Sequence, residues 1–389
     1  MLTDLKQAPS KSAIPVQDTA GGLQLSLSGV ERTELPSQDS DYSFERERAL
    51  TKNTPEGLQP VPHDECKIEH KLSKELVKKF TANIMKGPIS FPIFYSEPRS
   101  YIERTADLFS FLVTKYIPDV IQINSAEKDP YKMLALITTG LIASFHIDLN
   151  PKKVFNPYLG ETLATQWPNG IQFFAEQSSH HPPVSDIQIL SPDNSYRCYA
   201  HANFDVENGM NQVEINQNGV FTLEITNGPT YTWEFPTVSA SGFMKGDKTL
   251  KMKGTFTVTD QTNNLVCTID IAPNVKKLNS IPYFAGMKQS FASHVYGGIN
   301  KKSERKGVKL SIGAPTYEKV IYGDYCKEIF YDGVKIWDIQ TDIAQRPIKD
   351  VEQDMLLPSD SRYRLDRVLL IKGQMEDADK AKSALEEIQ

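Results

Sequence analysis

The sequence predicts a mainly β protein, an antiparallel sheet curled into a barrel with helices before and after it. Three observations carry this. From Glu161 to about Asp338, short runs rich in β-branched and aromatic residues alternate with turn clusters, as in GIQFFAEQ, VSDIQIL, YRCYAHANF, GVFTLEI, TYTWEF, LKMKGTFTV and LVCTIDIAP. Ahead of them, two stretches of helical character run over about 100–116 and 130–146. Behind them the chain turns polar and ends in MEDADKAKSALEEIQ, a charged helix.

In chain order, residues 1–65 are rich in Ser, Gln, Pro, Glu and Asp and show no sustained hydrophobic period, so a disordered tail is expected. Order is expected from about 66, in one domain reaching 389. Leu72, Leu76, Phe80 and Ile84 then recur every four residues among lysines until Gly87-Pro88, which marks an amphipathic helix. The residues favour a helix packed on the core with a solvated basic face; the second reading is an element that also meets anionic membranes. ISFPIFYSEP follows, held extended by Pro92 and Pro98. The helix over 130–146 is apolar around much of its circumference and should be buried.

The barrel is expected over about 150–338. Pro168-Asn169-Gly170, Asn208-Gly209, Asn227-Gly228, Gly246-Asp247, Asn263-Asn264 and Asp332-Gly333 mark its turns. A barrel of this size is wide enough to hold a ligand. The C-terminal region is 339–389.

Composition narrows the function. With 39% hydrophobic and 24% charged residues the chain is globular. A formal net charge of −6 gives no global basic field, so nucleic acid is not an expected partner. Four scattered cysteines form no CxxC pair, which speaks against a disulfide framework or zinc site and for a reducing compartment. The N-terminus lacks a signal-peptide pattern, and the run from Met133 to Leu149 is too polar to span a bilayer. A cytoplasmic monomer is expected.

The stretch EQSSHHPP, residues 176–183, places two of seven histidines side by side. In extended backbone adjacent side chains point to opposite faces, which makes poor metal co-ligands, and neither HExxH nor HxH is present. No GxSxG elbow accompanies Ser178 and Ser179. Metal binding and catalysis are thus the weaker readings, beside a solvated loop and an anion site. Imidazole gains a proton beside an anion and then donates charge-assisted bonds. NPKKVFNPYLGE, residues 150–161, offers Lys152, Lys153 and Asn156 as partners. Physics permits this pairing without proving it.

EQSSHHPP resembles the signature of the oxysterol-binding protein-related family, Glu-Gln-x-Ser-His-His-Pro-Pro, at Glu176, Gln177, Ser179, His180, His181, Pro182 and Pro183. Lys153 to Glu161 resembles the family's Lys-Pro-hydrophobic-Asn-Pro-x-x-Gly-Glu motif, with Val154 at the proline. ISFPIFYSEPRSYIER, KVIYGDYCKEIFYDGVKIWD (Tyr325 at a usual tryptophan), LPSDSRYRLD and AKSALEE are similar to further family segments in the right order, from about 67 to 389.

The resemblance implies a barrel enclosing a hydrophobic lipid tunnel, an N-terminal helical lid over about 67–98 and a C-terminal helical region. It implies a lipid-transfer protein, not an enzyme, that exchanges phosphatidylinositol 4-phosphate for a second lipid between membranes, touching anionic membranes only transiently. Sterol is favoured as the second lipid because it needs an apolar tunnel with few polar anchors; phosphatidylserine is the alternative. The headgroup would be held by Lys153, Asn156, His180, His181, Lys382 and Glu386. The family pattern continues with a basic residue beyond Gln389. The lid and tunnel would use Leu72, Leu76, Phe80, Ile84, Phe91, Ile93 and Phe94. Glu161 and Glu176 are expected to hold local structure. No cofactor or metal is expected. The rival reading is a sensor or adaptor that binds phosphoinositide and reports occupancy without bulk transfer.

Overall fold

The alternation in the sequence folds into one long antiparallel ladder. A computed structural model of the chain describes residues 51–60, 93, 96–149, 152–209, 211–242, 247–302, 317–342, 344–347 and 356–388. Its strands are β1 (Thr51–Asn53), β2 (Leu58–Pro60), β3 (Ser96–Ser100), β4 (Lys153–Phe155), β5 (Thr162–Gln166), β6 (Gln172–His180), β7 (Pro183–Leu190), β8 (Tyr196–Asn208), β9 (Gln212–Asn218) and β10 (Phe221–Ile225). They continue with β11 (Thr230–Trp233), β12 (Thr237–Ser241), β13 (Thr249–Lys253), β14 (Thr255–Asp260), β15 (Leu265–Ile271), β16 (His294–Lys301), β17 (Lys319–Asp324), β18 (Glu328–Tyr331) and β19 (Val334–Asp338). The helices are α1 (Tyr101–Leu108), α2 (Ile117–Ala126), α3 (Pro130–Ile142), α4 (Phe145–Asp148), α5 (Leu365–Ile371) and α6 (Met375–Ile388), with a π-helical turn at Leu112–Tyr116.

The long strand β8 is the branch point. One edge pairs over Arg197–Asn203 with β7, which leads through β6 to β5. On its other edge Tyr196–Tyr199 pair with β10, and Asn203–Asn208 pair with β9. One limb then runs β10–β11–β14–β15–β16–β17–β18–β19, and the other β9–β12–β13–β2–β1. Because side chains alternate across a strand, register fixes a single buried face. Phe173, Ile189, Cys198, Leu223 and Tyr231 lie opposite one another across successive strands and are all buried. The helices cover this face. Phe109 packs against Phe221, Trp233 and Phe235, and Phe145 against Phe256.

Local chemistry explains the elements. Asp129 caps α3 by accepting from the amides of Tyr131 (3.0 Å) and Lys132 (3.1 Å), with Pro130 at its first position. The Asp332-Gly333 hairpin has both residues at positive φ (46° and 85°), the geometry that a tight two-residue turn requires. No helix among the described residues is long and apolar enough to cross a membrane.

Two expectations need correction. The curled antiparallel sheet is present, but a closed barrel is not shown: among the described residues no ladder joins β5 to β19. The reason lies at the edges. The Thr162 amide of β5 already donates to the Ser359 carbonyl (2.9 Å), and Arg362 donates to the Ala164 carbonyl. At the far edge β19 is tied to the helices, where Tyr116 donates to the Ile336 carbonyl (3.2 Å) and Phe111 packs against Trp337. Each of these contacts occupies backbone or side-chain surface at the edge it touches.

The second correction concerns the tail. Residues 51–60, expected to be disordered, form the β1–β2 hairpin, with Leu58 buried in the main core opposite Leu250. Gly57 at φ 153° closes the turn with Thr54, whose hydroxyl donates to the Gly57 carbonyl (2.7 Å). A hairpin this short needs one apolar anchor, too little to register as a hydrophobic period.

Candidate functional site

The site begins with the parallel pair of β3 and β4, in which Ser96 lies opposite Lys153 and Ser100 opposite Phe155. Phe155 is buried in a small cluster with Ile93 and Ala378 of α6. That cluster docks the terminal helix beside β4, and the Ile93 amide reinforces it by donating to Asp379 (3.1 Å). Ile93, expected at the lid and tunnel, packs between β4 and α6. Leu72, Leu76, Phe80, Ile84, Phe91 and Phe94 lie outside the described residues.

Lys153 donates to the Asn156 side chain (2.8 Å). From α6, the buried Lys382 reaches Glu386 one turn on (2.6 Å). Burial lowers the Lys153 ammonium to about 8, and Lys382 and Arg364 push in the same direction while Glu386 opposes them. Three cations thus act on one another here.

Arg364 organises the loop between β4 and β5. It donates to the Asn156 carbonyl (2.7 Å), pairs with Glu161 (2.9 Å) and Asp366 (2.8 Å), and lies over the rings of Phe155 and Tyr158. A planar guanidinium can meet carboxylates and aromatic faces at once, which an ammonium cannot. Glu161 also accepts from the Tyr158 amide (3.0 Å), so it holds local structure as expected, through an arginine. Glu176 lies opposite Thr162 and is exposed.

The histidines occupy the β6–β7 hairpin, where His180 lies opposite Pro183 and His181-Pro182 forms the tip. Their ring centroids are 4.5 Å apart at 61°. Burial and the neighbouring His181 lower the proton affinity of His180, and its Nδ1 is buried without a hydrogen-bond partner among the described residues. The hairpin is braced from within: Gln177 donates to the Ser179 carbonyl (2.8 Å), and Ser179 donates to the Pro182 carbonyl (2.8 Å). It is tied to the Arg364-organised loop by two backbone bonds, Gly160 to Gln177 (2.8 Å) and Gln177 to Glu161 (2.9 Å).

The structure brings Lys153, Asn156, Lys382 and Glu386 into one cluster. His180 and His181 sit on the adjoining hairpin, joined to it through residues 156–161. Sequence reasoning missed Arg364. The available signal was the charge alternation in SRYRLD, which pairs arginines with Asp360 and Asp366.

A family model described as oxysterol-binding protein matches residues 76–389. The chain belongs to the oxysterol-binding protein family. Oxysterol-binding protein 9 of Dictyostelium discoideum is 26% identical over 340 residues, covering 86% of this chain and 77% of that protein. Oxysterol-binding protein-related protein 5 of Mus musculus is 28% identical over 202 residues, which is 50% of this chain but only 22% of the relative. The fold is similar to the crystal structure of Osh3 ORD in complex with PI(4)P from Saccharomyces cerevisiae, with TM-score 0.62, 19% identity, and coverage of 81% of this chain and 82% of that one. It is also similar to Osh1 ORD domain in complex with cholesterol, with TM-score 0.61, 19% identity, and coverage of 80% and 77%.

Proposed function

We propose that this protein is a lipid-transfer protein that takes phosphatidylinositol 4-phosphate by its headgroup and exchanges it for a second lipid, with sterol favoured over phosphatidylserine. The observation that carries the reading is the crowding of Lys153 against Lys382 and Arg364, beside a histidine whose Nδ1 is buried and unpartnered. Burial first, and then the neighbouring cations, lower the proton affinity of Lys153, and an anion entering the site would restore it. A phosphate would relieve the repulsion, favour protonated His180 and His181, and accept from Lys153 and Lys382. Asn156 would supply a neutral bond and Glu386 would accept from an inositol hydroxyl.

Family membership supports the lipid, as do the fold relatives, which bind PI(4)P and cholesterol. In this reading the apolar part of the lipid lies in a tunnel against the inner face of the sheet. The segment bearing Leu72, Leu76, Phe80 and Ile84 covers it, on the sequence grounds above. The work is desolvation and capture, with no covalent step.

The test is a two-vesicle exchange assay with lipid retention read by native mass spectrometry. The expected result is phosphoinositide exchange by the wild type. His180→Ala/His181→Ala should lose phosphoinositide and keep the second lipid. Equal phosphoinositide retention in the double variant would overturn the site, and binding without net transfer would favour a sensor.

A further inference from the structure

The β1–β2 hairpin reaches across the fork of the sheet. On one side Leu58 lies opposite Leu250 of β13, at the end of the second limb. On the other side the hairpin meets the start of β16 and the end of β17, which belong to the first limb. The Ala292 amide donates to the Thr54 carbonyl (3.2 Å), and the Asn53 side-chain amide donates to the Ser293 hydroxyl (2.6 Å) and to the Asp324 carboxylate (3.3 Å). Residues 51–60 thus fasten one limb to the other, and they precede the residues 76–389 that the family model matches.

A histidine lies under this fastening. His294, the first residue of β16, is buried, and its Nε2 faces Asp324 at 3.8 Å. Its Nδ1 accepts from the Phe291 amide (3.1 Å) and lies 3.2 Å from the Ser290 hydroxyl. A ring nitrogen that accepts from an amide holds no proton, so the neutral ring carries its proton on Nε2. A second proton, on Nδ1, would set one N–H against another at Phe291, next in the chain to the amide that holds Thr54. It would also strengthen the pull of the ring on Asp324, the carboxylate that Asn53 uses. We propose that the hairpin is a clasp between the two limbs and that protonation of His294 releases it. Among the described residues Asp324 is the charged group that acts on the ring. Tyr283, Phe284 and Phe291 present aromatic faces to it, and the hairpin presents the neutral Asn53. Burial keeps Tyr283 and Tyr325 protonated, with Glu328 acting on Tyr283, and Lys52, Glu56 and Lys288 on the neighbouring segments are exposed. Burial lowers the proton affinity of His294 more than Asp324 raises it. The released state therefore binds the proton more tightly than the docked one, and docking weakens as pH falls below the ordinary imidazole value of 6.5.

The experiment uses the full chain. Hydrogen exchange of residues 51–60 is followed by mass spectrometry from about pH 7.5 to about pH 5.5, with the intrinsic exchange rate divided out. One proton can shift the docking equilibrium by at most about tenfold per pH unit. A several-fold loss of protection is expected over this range, confined to the hairpin and residues 290–293. His294→Gln keeps an acceptor for the Phe291 amide and cannot take up charge, so its hairpin should stay protected throughout. In the wild type, NMR titration of the His294 ring and of the Asn53 side-chain amide should give one shared midpoint, a reading that does not depend on the variant folding. Protection that ignores pH, a loss that persists in folded His294→Gln, or two separate midpoints would overturn the proposal.

Discussion

Two buried concentrations of charge among the described residues are built differently. Between β3 and α1, Arg99 pairs with Glu97 and Asp107, while Arg104 pairs with Glu97 and donates to the Ile147 carbonyl. All four residues are buried. Burial alone would raise the Glu97 carboxyl, but Arg104 and Arg99 outweigh it and hold the group below the ordinary carboxylate value. At the candidate site burial also dominates, yet the nearest charges to Lys153 include two further cations, and its proton affinity falls. The first cluster is matched in sign and serves the fold. The second places Lys153 near Lys382 and Arg364, whose charges lower its proton affinity while Glu386 opposes them.

The largest expected effect breaks the first cluster. Arg104→Ala leaves Glu97 buried with one partner gone and should cost about 3–5 kcal/mol of stability in denaturant titration. A loss under about 1 kcal/mol would mean that the two clusters do not differ as described.

Lys153→Met tests the second cluster in the opposite sense. It removes a crowded ammonium, so stability should hold or rise, while affinity for inositol bisphosphate falls about tenfold to a hundredfold by calorimetry, the worth of one charge-assisted bond. Lost stability with unchanged affinity would make Lys153 a structural residue.

The same lysine sharpens the contrast through pH. Its ordinary value is 10.5 and its value in the folded chain is about 8. Between these the unfolded chain holds the extra proton, so this group makes stability rise with pH across that window. Its destabilising effect is fully present below the folded value. The wild type should therefore approach Lys153→Met in stability as pH rises from about 8 to 10.5. Anion binding should run the other way, weakening above about 8 as the free site loses its charge. His180, lowered by burial and by His181, should take up a proton with the ligand near neutrality. Calorimetry in buffers of different ionisation heat reads that uptake directly. No buffer dependence would remove the histidines from phosphate binding.

The smallest effect is at Glu386→Gln. Its pair with Lys382 is an i,i+4 contact with one partner partly exposed, so stability should shift by less than about 0.5 kcal/mol. A larger loss would make the pair a structural lock.

Much of this was legible beforehand for local reasons. Asn227-Gly228 and Asp332-Gly333 carry turn chemistry in two residues, and β10–β11 and β18–β19 turn there. MEDADKAKSALEEI forms α6 because no Gly or Pro interrupts it. The hairpin that carries the histidines is likewise set by its prolines and by Ser179 and Gln177 within it. Arg364 was not legible as a site residue: its partners Asn156 and Glu161 lie some two hundred residues away, and nothing local separates it from Arg362. The β1–β2 hairpin was hidden for the related reason that Leu58 gains its meaning only from Leu250.

The sequence by itself determined the strand alternation, the turns, the terminal helix and the residue types able to grip a phosphate, because these depend on neighbours in the chain. Only the tertiary structure decided that β8 forks, and that Lys382 is brought near Lys153 by the packing of Ile93, Phe155 and Ala378. Those outcomes depend on which backbone edges are already satisfied and which apolar faces meet, and both are settled between residues far apart in sequence.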